Sequence, residues 1–119
     1  MNSSKDPAVF LEHILESIRK IEGYTEGISK HEFLKSNMVQ DAVIRNLEII
    51  GEATKNISKN FREKHPEIVW RRISGFRDVL IRMYFGIDLD LTWAVVKKDL
   101  PALEEELSKM LKDERVSKL

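Results

Sequence analysis

Arg71, Arg72, Arg77 and Arg82 stand within twelve residues of one another, interleaved with Trp70, Phe76, Tyr84 and Phe85. A guanidinium is a rigid fork of N–H donors that matches phosphate oxygens, and an aromatic face suits an unstacked base. This is the chemistry of nucleotide or nucleic-acid binding. The plainer alternative is surface ion pairing, with Asp78 as the obvious partner. A second group is Asp41, Arg45, Asn46, Glu48 and Glu52. Their spacings of three and four residues put neighbours side by side on a helix. The group reads either as a solvated face with weak ion pairs, or as a partly buried network that orients a site or sets the register of a dimer. Asn46 lies among Val39, Val43 and Ile50, so it is expected to face the helix bundle.

Other chemistries are excluded by composition. The 119 residues include no cysteine, which removes disulfides, thiol nucleophiles and Cys-based zinc sites. His13, His31 and His65 lack the spacing for joint metal binding on a helix, so no metal and no cofactor are expected. Ser74-Gly75 lacks the flanking glycines of a nucleophile elbow. Glu104-Glu105-Glu106 opens a terminal helix and reads as its solvated face. Twenty Lys and Arg balance twenty Asp and Glu, so a nucleic acid would have to be met by a local basic patch.

The elements that must position these residues are all helices. The chain fits one domain, residues 1–119, with a polar tail from about 113 to 119 expected to fray. Asp6-Pro7 starts a first helix whose stripe is Leu11, Ile14, Leu15, Ile18 and Ile21, with Gly23 as its stop. Ser29 to Glu32 has capping-box spacing. A second long helix is read from Ser36-Asn37 to about Phe61. It has one stripe through Val39, Val43, Leu47, Ile50, Ile57 and Phe61, and a second through Met38, Ala42, Ile49 and Ala53. So wide an apolar arc implies packing on two sides, in the bundle core or at a subunit interface. His65-Pro66 marks a boundary, Asp88 a new cap, and Asp99-Leu100-Pro101 the start of the last helix. The result is an up-and-down four- or five-helix bundle that dimerises. No uncharged stretch approaches the roughly 20 residues of a membrane helix. The N-terminus has no apolar signal core. A cytoplasmic protein without membrane contact is expected.

Several blocks in order resemble one family. They are Gln40 to Ala53 (QDAVIRNLEIIGEA), Ile73 to Ile81 (ISGFRDVLI), Tyr84 to Asp88 (YFGID), Trp93, and Asp99-Leu100-Pro101. Together they resemble the HepT family of HEPN-domain proteins over about Asp6 to Met110. The resemblance implies a dimeric helical bundle acting as a metal-independent ribonuclease toxin on RNA, tRNA among the candidates. It implies an MntA-type nucleotidyltransferase as antitoxin, which silences the toxin by adding AMP units to a motif Tyr. The family motif is Arg, four residues, His, one residue, Tyr, and two copies meet at the dimer interface to form the site. Here the resemblance places the Arg at Arg77 and the Tyr at Tyr84. Asp41, Arg45, Asn46 and Glu48 are expected to support that site.

The chain departs from the motif at Arg82, which occupies the His position. Cleavage of RNA without metal needs a base for the ribose 2′-hydroxyl and an acid for the leaving oxygen. An arginine stays protonated and cannot serve as the base. It can still hold the phosphate and stabilise developing negative charge. Two readings follow. One is a ribonuclease that uses Arg77 and Arg82 as its catalytic pair. The other is a catalytically impaired HEPN protein that binds a nucleotidyltransferase or RNA. Arg77 and Arg82 are about 140° apart on a straight helix, whereas Arg77 and Tyr84 share a face.

Overall fold

Asp6 and Pro7 start the first helix. The Asp6 carboxylate accepts from the Ala8 N–H at 3.0 Å, and Pro7, lacking an N–H, fits the first turn. In the computed structural model this helix, α1, spans Pro7–Thr25. Leu11, Ile14, Leu15, Ile18 and Ile21 form its buried stripe, as their spacing requires. The structure describes residues 6–68, 70, 71, 73, 76 and 88–117, and over these the fold is all-α.

Gly23 does not end α1. The helix continues to Thr25, whose buried hydroxyl donates to the Ile21 carbonyl at 2.9 Å. The chain turns at Gly27, where φ is +75°. A glycine inside a helix costs only about 1 kcal/mol, too little to stop one whose next turn is buried. Helix α2, Lys30–Lys35, opens with the expected capping box. Ser29 Oγ accepts from the Glu32 N–H at 3.1 Å, and the Glu32 carboxylate accepts from the Ser29 N–H at 3.0 Å.

Helix α3, Asn37–Lys55, is shorter than its apolar pattern suggests. Asn56 caps its end, and Ser58 starts a separate helix, α4, Lys59–Lys64, by accepting from the Phe61 N–H at 3.1 Å. Ile57 between them is buried, so the apolar period runs through a break in the backbone. His65 caps α4 at the expected boundary, and Pro66 and Glu67 form a turn. Trp70, Arg71, Ile73 and Phe76 are helical.

Asp88 caps α5, Leu89–Ala94, accepting from the Leu91 N–H at 2.9 Å. The chain then passes without interruption through a π-turn, Val95–Asp99, into α6, Leu100–Ser117. The α-helical ladder resumes at Leu100, as read, but no loop precedes it. Pro101 cannot donate to the carbonyl four residues back and its ring crowds that turn. The Leu100 N–H bonds instead to the Val95 carbonyl, five residues back, which widens the turn. The backbone remains helical past Asp113 to Ser117, beyond the point where fraying is expected.

Helix α1 packs against α3 and α6, and α2 packs against α3 and α5. Val43, Leu47 and Ile50 of α3 join the α1 stripe in one buried core with Phe33 of α2, and α6 adds Leu100, Leu103, Leu107, Met110 and Leu111. No helix among the described residues is long and apolar enough to cross a membrane.

Candidate functional site

The arginine-rich segment is entered from a fixed point. The last carbonyls of a helix have no donor within it. At the end of α4, two such oxygens are met by one side chain. The Trp70 indole N–H donates to the His65 carbonyl at 3.0 Å and to the Arg62 carbonyl at 3.2 Å. The Phe61 ring lies 4.4 Å from that of His65 and meets Trp70 edge-on at 6.3 Å. Ile68, Ile73 and Phe76 are buried, and Arg71 between them is exposed. The chain thus reaches position 76 anchored in the core and resumes at the capped Asp88. Arg77, Arg82 and Tyr84, with Arg72 and Ser74-Gly75, lie outside the described residues.

His65, the nearest histidine in sequence, is committed to this corner. Its backbone N–H donates to the Arg62 carbonyl, and its Nδ1 lies 3.3 Å from the Glu67 carboxylate. A backbone hydrogen bond, helped by His65, holds the Glu67 carboxyl below its ordinary range. His65 therefore ends α4 through its backbone N–H, while its imidazole turns to Glu67.

On α3 the four supporting residues divide. Asn46 is 5% exposed, and its side-chain amide donates to the Ala42 carbonyl at 2.9 Å within its own helix. It faces the bundle, as expected from its apolar neighbours. Asp41, Arg45 and Glu48 are exposed on the other side, about 60° of arc together. Only Arg45 and Glu48 meet, at 3.6 Å. The pairing of Arg45 with Asp41 is not made, and Glu52 turns instead to Lys55 at 3.8 Å. Asp41, Arg45 and Glu48 thus stand on the surface of the chain, and Asn46 is buried with its amide on its own helix backbone.

A further polar cluster joins elements distant in sequence. Arg19 Nε on α1 lies 3.4 Å from the Glu104 carboxylate on α6. Glu22, one turn further along α1, hydrogen-bonds Glu104. Its carboxyl is pushed above the ordinary 4.5, first by burial and then by the hydrogen bond and charge of Glu104, against the pull of Arg19 and Lys97. Lys97, on the π-turn, sits 4.7 Å over the Trp93 ring. Glu104 is therefore not part of a solvated face, although Glu105 and Glu106 are. Its i,i+3 and i,i+4 pattern gives no hint of this, because the partners come from a helix 80 residues away. No cluster of His, Asp and Glu fit to hold a metal occurs among the described residues.

The chain was compared with known proteins. The profile of the family described as ribonuclease HepT-like matches residues 14–110, which include both α3 and the arginine-rich segment. A probable ribonuclease HepT from Thermococcus cleftensis is 48% identical over 103 residues, covering 87% of this chain and 94% of that protein. A "putative RNase" from Caldanaerobacter subterraneus is 41% identical over 111 residues, covering 93% and 99%. A "gamma-glutamylcyclotransferase and putative RNase" from Methanocaldococcus jannaschii is 53% identical over 109 residues; this covers 92% of the chain but 49% of that protein, so the chain spans about half its length. No solved structure matches the chain.

Proposed function

The chain belongs to the ribonuclease HepT-like family, and we propose that it is an RNA endonuclease toxin whose site is completed by two copies of the chain. The family match across residues 14–110 carries this reading. The proposed catalytic pair is Arg77 and Arg82, with Tyr84 as the residue that a partner nucleotidyltransferase of the MntA type modifies with AMP. In-line attack by a ribose 2′-hydroxyl on the adjacent phosphorus forms the 2′-oxygen–phosphorus bond of a 2′,3′-cyclic phosphate and breaks the bond to the 5′-oxygen. Water takes the 2′ proton and returns one to the leaving oxygen, and negative charge builds on the phosphate oxygens. Two guanidinium forks held at that phosphate stabilise the charge and need no metal ion. Adenylylation of Tyr84 would add bulk and negative charge beside these arginines, opposing the approach of RNA.

Arg82 favours a second reading. It provides phosphate binding but no base, and loss of general base catalysis costs on the order of 10²–10⁴ in rate. In this reading the chain binds RNA or its nucleotidyltransferase without cutting RNA at a useful rate.

One assay separates the two: cleavage of total tRNA in the presence of a chelator, by the chain as it stands and by Arg77→Ala and Arg82→His. Cleavage that disappears in Arg77→Ala supports the nuclease. Cleavage seen only after Arg82→His supports the binding protein. No cleavage by any of the three, with no retention of tRNA, sinks the nuclease and the RNA-binding reading and leaves only binding of the nucleotidyltransferase.

A further inference from the structure

Arg62, on α4, carries a charge that the fold leaves uncompensated. Arg19 and Arg45 each face a carboxylate. The half-buried side chain of Arg62 makes neither an ion pair nor a hydrogen bond among the described residues. Its Nε is buried without an acceptor, and no other buried side-chain nitrogen or oxygen among the described residues is left so. The terminal amino groups remain on the solvent side. Partial burial of an unpaired charge costs free energy, and an anion brought against it offsets that cost. The backbone of Arg62, by contrast, is held twice. Its carbonyl accepts from the His65 N–H at 3.2 Å and from the Trp70 indole at 3.2 Å. The guanidinium is rooted in a fixed corner, so little freedom remains to be lost when an anion binds. Its surroundings are basic. Lys59 stands three residues earlier, beside Arg62 on the same short helix. The contact of Lys59 with Glu63 is 3.9 Å long between two exposed side chains, which makes it weak. From residue 59 to 71, Lys59, Arg62, Lys64 and Arg71 outnumber Glu63 and Glu67, and Glu67 is turned to His65. This local excess stands in a chain whose charges balance as a whole.

We propose that Arg62, with Lys59, forms a second phosphate site, which holds the RNA backbone away from the phosphodiester that is cut. The proposal rests on the RNA reading of the chain and adds to it where the strand is gripped. Two oxygens of a phosphodiester match the amino groups of a guanidinium, and Lys59 adds a mobile charge beside them. Trp70, bonded to Arg62, precedes Arg77 by seven residues, so these two positions lie no more than about 25 Å apart. A single strand carries a phosphate at every nucleotide, and a few nucleotides bridge such a distance. A contact of this kind reads no sequence and moves no proton. It strengthens binding of the ground state and of the transition state alike, so it acts on affinity and not on the chemical step.

The test is binding of fluorescently labelled tRNA to the full chain, followed by anisotropy across a salt series. The variants are Arg62→Met, Arg62→Lys and Lys59→Gln, with Lys20→Gln on α1 as the control for loss of any surface charge. Arg62→Met is expected to weaken binding about tenfold and to reduce the slope of log affinity against log salt by about one. Arg62→Lys should regain part of the affinity, and Lys20→Gln should change it little. In tRNA cleavage, Arg62→Met should raise KM and leave kcat in place. The Arg62 Nε–H resonance, identified by its loss in Arg62→Lys, should shift when a 2′-O-methyl oligonucleotide, which cannot be cleaved, is added. If Arg62→Met melts below wild type, Lys59→Gln and this resonance carry the test. A chain that cuts tRNA while affinity, salt slope and resonance ignore Arg62 ends the second site alone. A loss of the same size in Lys20→Gln means diffuse attraction and also overturns it. Affinity that follows Arg62 without cleavage by wild type ends the nuclease reading alone. A wild type that neither binds nor cuts tRNA ends both.

Discussion

Glu22 and Glu104 share a hydrogen bond that exists only while one of them holds a proton, so this contact depends on pH. The folded-state value of Glu22 lies above the ordinary 4.5. A raised value means that the folded state binds the proton more tightly than the unfolded chain. The stabilisation is complete below the ordinary value and is lost as pH rises through the folded one. Glu67 runs the other way, since its lowered value contributes stability above 4.5 that is lost as pH falls. The window above 4.5 therefore reports Glu22. Thermal melting between pH 4 and pH 8 should show wild type losing stability on that rise. Glu22→Gln, whose amide donates at every pH, should be flatter and should exceed wild type at pH 7. Equal slopes for the two proteins would remove Glu22 from the account. The cluster was not legible in the sequence, because Glu104 looks like Glu105 and Glu106 until Arg19 and Glu22 are brought against it. Asn46 was legible, since a polar residue flanked by Val39, Val43 and Ile50 has only the core side to face.

Two glycines four residues apart show what decides a helix end. At both Gly23 and Gly27 an added Cβ meets no atom within 4 Å, so space does not distinguish them. Backbone conformation does. Gly23 is helical, and Gly23→Ala should stabilise the protein by about 0.5–1 kcal/mol in urea unfolding. Gly27 has φ +75°, and Gly27→Ala should destabilise it by about 1–2 kcal/mol. Effects of the same sign would contradict this account of the turn. The misplaced end of α3 has a similar origin. Apolar spacing through Ile50, Ile57 and Phe61 reports burial, whereas Asn56 and Ser58 report the backbone, and the cap residues decide the boundary. The π-turn before Pro101 is the same kind of case. Proline signals a helix start when read alone, yet here a widened turn carries the helix up to it.

At the scale of the whole molecule, a shared site ties activity to association. If two chains complete the RNA site, cleavage per chain should fall on dilution below the dimer dissociation constant. The melting temperature of wild type should also rise with chain concentration, since association stabilises the folded form by mass action. A melting temperature independent of concentration, with cleavage strictly proportional to chain, would fit a site complete in one copy. Within one chain, Val43, Leu47 and Ile50 of α3 hold the bundle together, while Met38 on the same helix stands exposed.

The sequence by itself determined the all-helical class, the caps at Asp6, Ser29 and Asp88, and the family to which Arg77 and Tyr84 belong. These rest on local chemistry: hydrogen bonds within a few residues, apolar repeats at helical spacing, and motif order along the chain. Only the tertiary structure decided that Glu104 meets Arg19 and Glu22, that Trp70 closes the end of α4, and that Met38 stays uncovered while Val43 and Leu47 do not. Each of these depends on which helix lies against which, and residues far apart in sequence carry no local mark of being neighbours.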